Sequence, residues 1–199
     1  MLALYFIFFL TQEEIEKKIR KNFEWIKNIN EIKGKIEFIT TKKDTQFIEP
    51  MTFNFEIKRK EKNFEFEIES NKEKIIMKEN QIIFKDKSMP IPTINPPILD
   101  TQSIFPKGKI EIQEIKERKI IELESIPKDT LQGILKCRYT INTEKWLIES
   151  AEILSFMGTI YVFFEYEELK KNNYFYKKIT LIFQEGVKSE IIYNISQVK

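Results

Sequence analysis

The chain has 199 residues, 42% hydrophobic and 32% charged, enough for one globular domain with a real core and unlike a disordered segment. Lys and Arg (33) nearly cancel Asp and Glu (31), and the two signs interleave, which argues against a nucleic-acid binder carrying a basic stripe. With no histidine and a single cysteine, His triads, His metal sites, imidazole acid–base chemistry, an internal disulfide and a CxxC pair are all excluded.

The first ten residues, MLALYFIFFL, carry no charge and are followed by an abruptly charged run. Ten apolar residues are too short to span a bilayer, which takes about 20, but they suit the apolar region of a signal peptide. No Lys or Arg precedes them and no A-x-A site follows. A start codon placed too late would explain the first defect. The alternative is an apolar strand or helix that stays in the fold. The expected division is a signal-peptide remnant over 1–10, cleaved near Leu10 or Thr11, and a single domain over 11–199, released to the periplasm.

Thr11 followed by Glu14 reads as a capping box. Ile15, Ile19, Phe23, Ile26 and Ile29 then recur every three or four residues, which predicts one amphipathic helix ending near Asn30, with Trp25 at the edge of its stripe. From Gly34 onward the period is two. Phe53, Phe55 and Ile57 alternate with Asn54, Glu56 and Lys58, and Phe64, Phe66 and Ile68 with Glu65, Glu67 and Glu69. Later runs repeat the habit, down to Ile191, Tyr193 and Ile195. Turns are expected at 60–63, 78–80, Gly158, 170–173 and 184–186. About ten strands in succession, without helical crossovers, exclude a parallel α/β fold. Cys137, alternating with charged neighbours, reads as a small buried apolar residue.

Five prolines between Pro90 and Pro106 rule out an interior strand there, so this stretch reads as an extended loop. Its apolar residues, Ile91, Ile94, Ile98, Leu99, Ile104 and Phe105, fit a binding lid or a plain cover for an open core. The expected fold class is mainly β (α+β). A large curled antiparallel sheet forms an open half-barrel, covered by the N-terminal helix and the Pro-rich loop. Its concave side is either filled by phenylalanines or open to an apolar ligand.

The order of these elements resembles the LolA-type periplasmic lipoprotein carriers and their relatives among outer-membrane lipoprotein-sorting proteins. EEIEKKIRKNFEWIKNINEIKGKIEFITTKK is similar to their leading helix and first strand. FNFEIKRKEKNFEFEIESNKEKIIMKENQIIF resembles their two strands around a Lys-Arg turn and the pair that follows. YTINTEKWLIESAEILSFMGTIYVFFEYEEL resembles a later hairpin with a Gly turn. The likeness runs from about Glu13 as a pattern of elements. It departs where the family's Arg-Pro turn is Arg59-Lys60, where Asp-Gly is Glu79-Asn80, and where the chain stops at SQVK without a Phe-rich tail.

The resemblance implies a periplasmic carrier, without catalysis or cofactor, whose apolar cavity shields lipoprotein acyl chains or another lipid on the way to the outer membrane. Its implied partners are an inner-membrane transporter and an outer-membrane acceptor, with no nucleic acid, and the chain is expected to be a monomer. Cavity and lid candidates are Ile19, Phe23, Ile26, Phe53, Phe55, Ile57, Phe64, Phe66, Ile68, Ile98, Leu99 and Phe105. By the same resemblance Arg59 helps hold the lid over an empty cavity; by its own surroundings it is a solvated turn charge. Two other functions stay open: a lipid- or lipoprotein-sensing module on the same scaffold, and an enzyme using Glu65, Glu67 and Glu69, whose period of two also describes a solvated face.

Overall fold

The structure, a computed structural model, describes residues 11–199 except 44, 61–62, 70–73, 79–80, 85–86, 91–107, 117–119, 128–132 and 184–185; β3 to β7 below are described by backbone. The expected signal-peptide segment 1–10 lies outside these residues, as does nearly all of the expected lid.

The chain begins with α1 (Gln12–Lys21), whose capping box is formed as expected: the Thr11 side chain accepts from Glu14 N–H while the Glu14 carboxylate accepts from Thr11 N–H. The helix stops earlier than its stripe suggests. Asn22 caps it, and a 3₁₀ helix (Glu24–Asn28) follows. The cause is tertiary. The Asn22 carbonyl accepts from Tyr174 N–H, and its amide donates to the carbonyls of Lys145 and Trp146 at 2.6 and 2.9 Å, so the backbone tightens there and Ile26 N–H donates to Phe23 instead.

Among the described residues thirteen strands follow, rather than about ten: β1 (Glu31–Lys42), β2 (Thr45–Lys60), β3 (Asn63–Glu69), β4 (Lys74–Lys78), β5 (Gln81–Phe84), β6 (Lys87–Pro90), β7 (Gly108–Lys116), β8 (Ile120–Pro127), β9 (Ile134–Asn142), β10 (Leu147–Ser155), β11 (Gly158–Lys170), β12 (Asn173–Ile182) and β13 (Val187–Val198). They form one antiparallel sheet in the order β6-β5-β4-β3-β2-β1-β13-β12-β11-β10-β9-β8-β7. Two meanders, β1–β6 and β7–β13, meet only where β1 pairs β13. The sheet does not close on itself: β6 and β7 are its two edges, although they follow one another in sequence. Prolines respect this plan. Pro90 ends an edge strand, and Pro50 falls where the β1–β2 register slips, so neither removes a ladder donor that a neighbour needs.

The sheet curls around α1. Ile15, Ile19, Phe23 and Ile26 share one buried cluster with Ile57 of β2 and with Ile121 and Leu123 of β8. Laid flat, β2 and β8 would be about 34 Å apart at 4.8 Å per strand, far more than the roughly 10 Å diameter of a helix. Only a curved sheet brings both flanks under one helix, and the architecture is therefore an open half-barrel. Gly34 of β1 marks a tight place in this curve. A Cβ there would lie 2.2 Å from the Asn194 carbonyl oxygen and 2.7 Å from the Phe55 ring, beside a β-bulge.

Candidate functional site

Strand register decides which residues share the concave face. One row runs Phe38 (β1), Ile191 (β13), Ile179 (β12) and Phe164 (β11). A second runs Leu181 (β12), Val162 (β11), Ala151 (β10), Tyr139 (β9) and Leu123 (β8). On the convex face the same strands carry charge, as in the Arg138–Glu152 pair at 3.2 Å and the Lys178–Glu165 pair at 2.7 Å. Such exposed pairs keep the outer face soluble and add little stability.

The concave face has two halves. Toward one rim, called here the helix rim, lie the 143–146 and 171–172 turns and the C-terminal end of α1. There Phe23, Tyr166, Phe175, Tyr176 and Tyr193 interlock, with ring centroids 6.0 Å apart for Phe23–Tyr176 and 5.2 Å for Tyr166–Tyr176. The Tyr166 hydroxyl donates to the Ile148 carbonyl at 2.9 Å and accepts from Tyr176. Burial pushes the hydroxyls of Tyr166 and Tyr176 well above their ordinary value, and that of Tyr193 up to about 12. This half is filled.

Toward the opposite rim a second cluster, Cys137, Ala151, Ile153 and Val162, is flanked by half-buried Ile134, Tyr139, Ile160, Phe164, Ile179 and Leu181. Burial raises the Cys137 thiol, against a weaker opposing pull from its hydrogen bond with Tyr139, so it behaves as an apolar wall residue. Helix α1, 10 residues long, extends about 15 Å, whereas the 12 residues of β1 extend about 40 Å. The helix is therefore much shorter than the strands it packs on. The rest of the concave face is a curved apolar wall, suited to flexible hydrocarbon. Among the described residues no group of three or more His, Cys, Asp or Glu could hold a metal, and no helix is long and apolar enough to cross a membrane.

The sequence candidates divide accordingly. Ile19, Phe23, Ile26, Phe55 and Ile57 are buried in the filled half, and Phe53 is half-buried beside them, its ring 5.6 Å from that of Phe38. Phe64, Phe66 and Ile68 stand opposite Arg59, Ile57 and Phe55 in the β2–β3 ladder. Glu65, Glu67 and Glu69 take the alternate places, opposite Lys58, Glu56 and Asn54. Arg59 is the next-to-last residue of strand β2, paired with Phe64 in the ladder. Ile98, Leu99 and Phe105 lie outside the described residues. Periodicity did not single out the wall of β9–β13, namely Tyr139, Phe164, Ile179, Leu181 and Ile191. Their alternation was visible, but the pairing of β1 with β13, which carries them to Phe38, was not.

No protein-family model matches the sequence, and no curated protein matches it. Solved structures do match its fold. A domain described as an outer-membrane lipoprotein-sorting protein from Vibrio parahaemolyticus is similar with a TM-score of 0.66 at 12% identity, over 95% of this chain and 93% of that one. A LolA superfamily protein from Nitrosomonas europaea is similar with a TM-score of 0.61 at 14% identity, over 96% and 93%. A DUF1329 family protein from Desulfovibrio piger gives 0.58 at 10%, over 91% and 90%. The chain has the LolA-like fold along nearly its whole length.

Proposed function

We propose that this chain is a non-enzymatic carrier that takes the acyl chains of a lipoprotein, or another lipid, onto its concave wall and moves them through the periplasm toward the outer membrane. The observation that supports this most is the continuous half-buried apolar row on the concave face, Phe38, Ile191, Ile179 and Phe164, with Tyr139 in the neighbouring row. An acyl chain in water loses about 0.8 kcal/mol for each CH₂ left exposed, so a wall of this kind contributes by area alone and needs no polar chemistry. The fold neighbours include proteins described as lipoprotein-sorting and LolA-like, which agrees with this reading. The proposal extends to Ile98, Leu99 and Phe105, because the sequence that carries them connects β6 to β7, the two edges of the sheet.

A fluorescent fatty-acyl probe is expected to bind the purified chain with its emission shifted to the blue, and native mass spectrometry of fresh protein to show co-purifying acyl species. Replacing Ile179 and Ile191 together by Asn places amides in the wall and is expected to weaken the probe at least about tenfold. A probe that stays in water at high protein concentration would reject the carrier.

A further inference from the structure

The large hydrophobic residues that are exposed are not scattered. Among the described residues Met51, Ile126, Leu154, Phe156, Met157, Tyr161, Phe163 and Phe183 all lie in the half of the sheet toward the rim opposite the helix, and Val198 alone lies in the other half. The β10–β11 hairpin concentrates them. From Ile153 to Phe164 the sequence ILSFMGTIYVFF contains no charge, and its strands are apolar on both faces. Ile153, Ile160 and Val162 face the concave wall, while Leu154, Tyr161 and Phe163 face outward. At the tip Phe156 is 71% and Met157 96% exposed.

This turn is built, not loose. The Ser155 hydroxyl donates to the Gly158 carbonyl at 2.9 Å and accepts from Met157 N–H at 3.2 Å. Phe156 N–H donates to Gly133, and Gly158 takes φ 118°, a conformation that other residues rarely adopt. A turn in water ordinarily shows Asn, Asp or Gly at its apex. Here two large apolar side chains are held outward, on backbone whose two N–H groups are taken up by the Gly133 carbonyl and the Ser155 hydroxyl. The tip can then approach an apolar medium without stranding either donor.

We propose that the tip of this hairpin, Phe156 and Met157, docks the protein on a phospholipid bilayer. The inference rests on the carrier reading, since cargo insoluble in water must be collected and released at membranes. A bilayer fits better than a protein partner because Ile126, Phe156, Met157 and Phe183 are exposed at separate strand ends of one rim, spread as a planar interface requires. The hairpin then has one face in the wall and its end at the membrane.

The test is flotation of the full chain with vesicles of equal parts phosphatidylethanolamine and phosphatidylglycerol. Wild type is expected to float, and the double variant Phe156→Ser, Met157→Ser to bind about tenfold to a hundredfold less, with unchanged thermal melting and unchanged acyl-probe binding in solution. A polarity-sensitive dye on Met157→Cys, selective because Cys137 is buried, should shift to the blue on the same vesicles. Equal flotation of wild type and double variant, or a dye that stays water-like on vesicles, overturns the docking site. So does a dye that shifts only when another protein is added. Loss of acyl-probe binding with flotation intact would instead count against the carrier.

Discussion

The two rims of the half-barrel use the same residue types to opposite ends. At the helix rim aromatic residues are interlocked and their polar atoms paired, with Trp25 Nε1–H donating to the Tyr174 carbonyl at 3.2 Å and Lys18 seated 4.4 Å from the centre of the Trp146 ring. At the opposite rim Phe156, Met157 and Phe183 face solvent. One rim is where the fold spends its phenylalanines on stability, the other where it leaves them available. An apolar residue count alone could not have told these apart, because burial depends on which strand ends the single helix reaches.

The comparison can be broken by substituting the same residue type at both rims. Phe175, 1% exposed and stacked 6.4 Å from Phe55, is expected to lose about 3–5 kcal/mol on replacement by Ala, read by chemical denaturation. Next in size, Asn22→Ala removes the amide that holds the 143–146 turn. A loss of about 1–2 kcal/mol is expected, with the helix-rim amides, including that of Tyr174, exchanging faster and those of the 155–158 turn unchanged. A third effect is absent at neutral pH. Because burial raises the Tyr193 hydroxyl from 10.0 to about 12, the stability it confers is complete below pH 10 and is lost as pH rises toward 12. Tyrosinate absorbance from Tyr166, Tyr176 and Tyr193 should therefore appear together with loss of circular dichroism in an alkaline titration, not before it. The smallest effect is expected from Phe156→Ala, within about 0.5 kcal/mol of wild type. A large loss there would mean that the tip packs against something and would erase the distinction between the rims.

Much of this was legible in the sequence. The Thr11–Glu14 box, the Ile15–Ile26 stripe and the period of two are local signals, and each is fixed by geometry within a turn or a strand pair. The shortened helix was not legible, because what ends it is the Asn22 carbonyl bonded to Tyr174, far away in the chain. The short strands β4–β6 were under-counted, since four or five residues give too few repeats for a period to show. Of the candidate site residues, Phe53, Phe55 and Ile57 share one strand face as their alternation predicts, and Ile19, Phe23, Ile26, Phe55 and Ile57 are packed in the core.

The pairing of β1 with β13 has a consequence for how the molecule assembles. Each meander can zip up from neighbouring hairpins, a local and rapid process. Their junction cannot, because it joins Ile32 to Val198 and closes nearly the whole chain, an entropic penalty on the order of 4 kcal/mol. Until the last strand is available, β1 and β12 each present an unpaired ladder in what will become the middle of the sheet. A chain emerging from the N-terminal side thus carries the exposed edge of β1 for most of its synthesis, a state open to aggregation. The slowest step in refolding should be this docking of the two meanders, and a variant lacking 187–198 should yield two half-sheets that never unite.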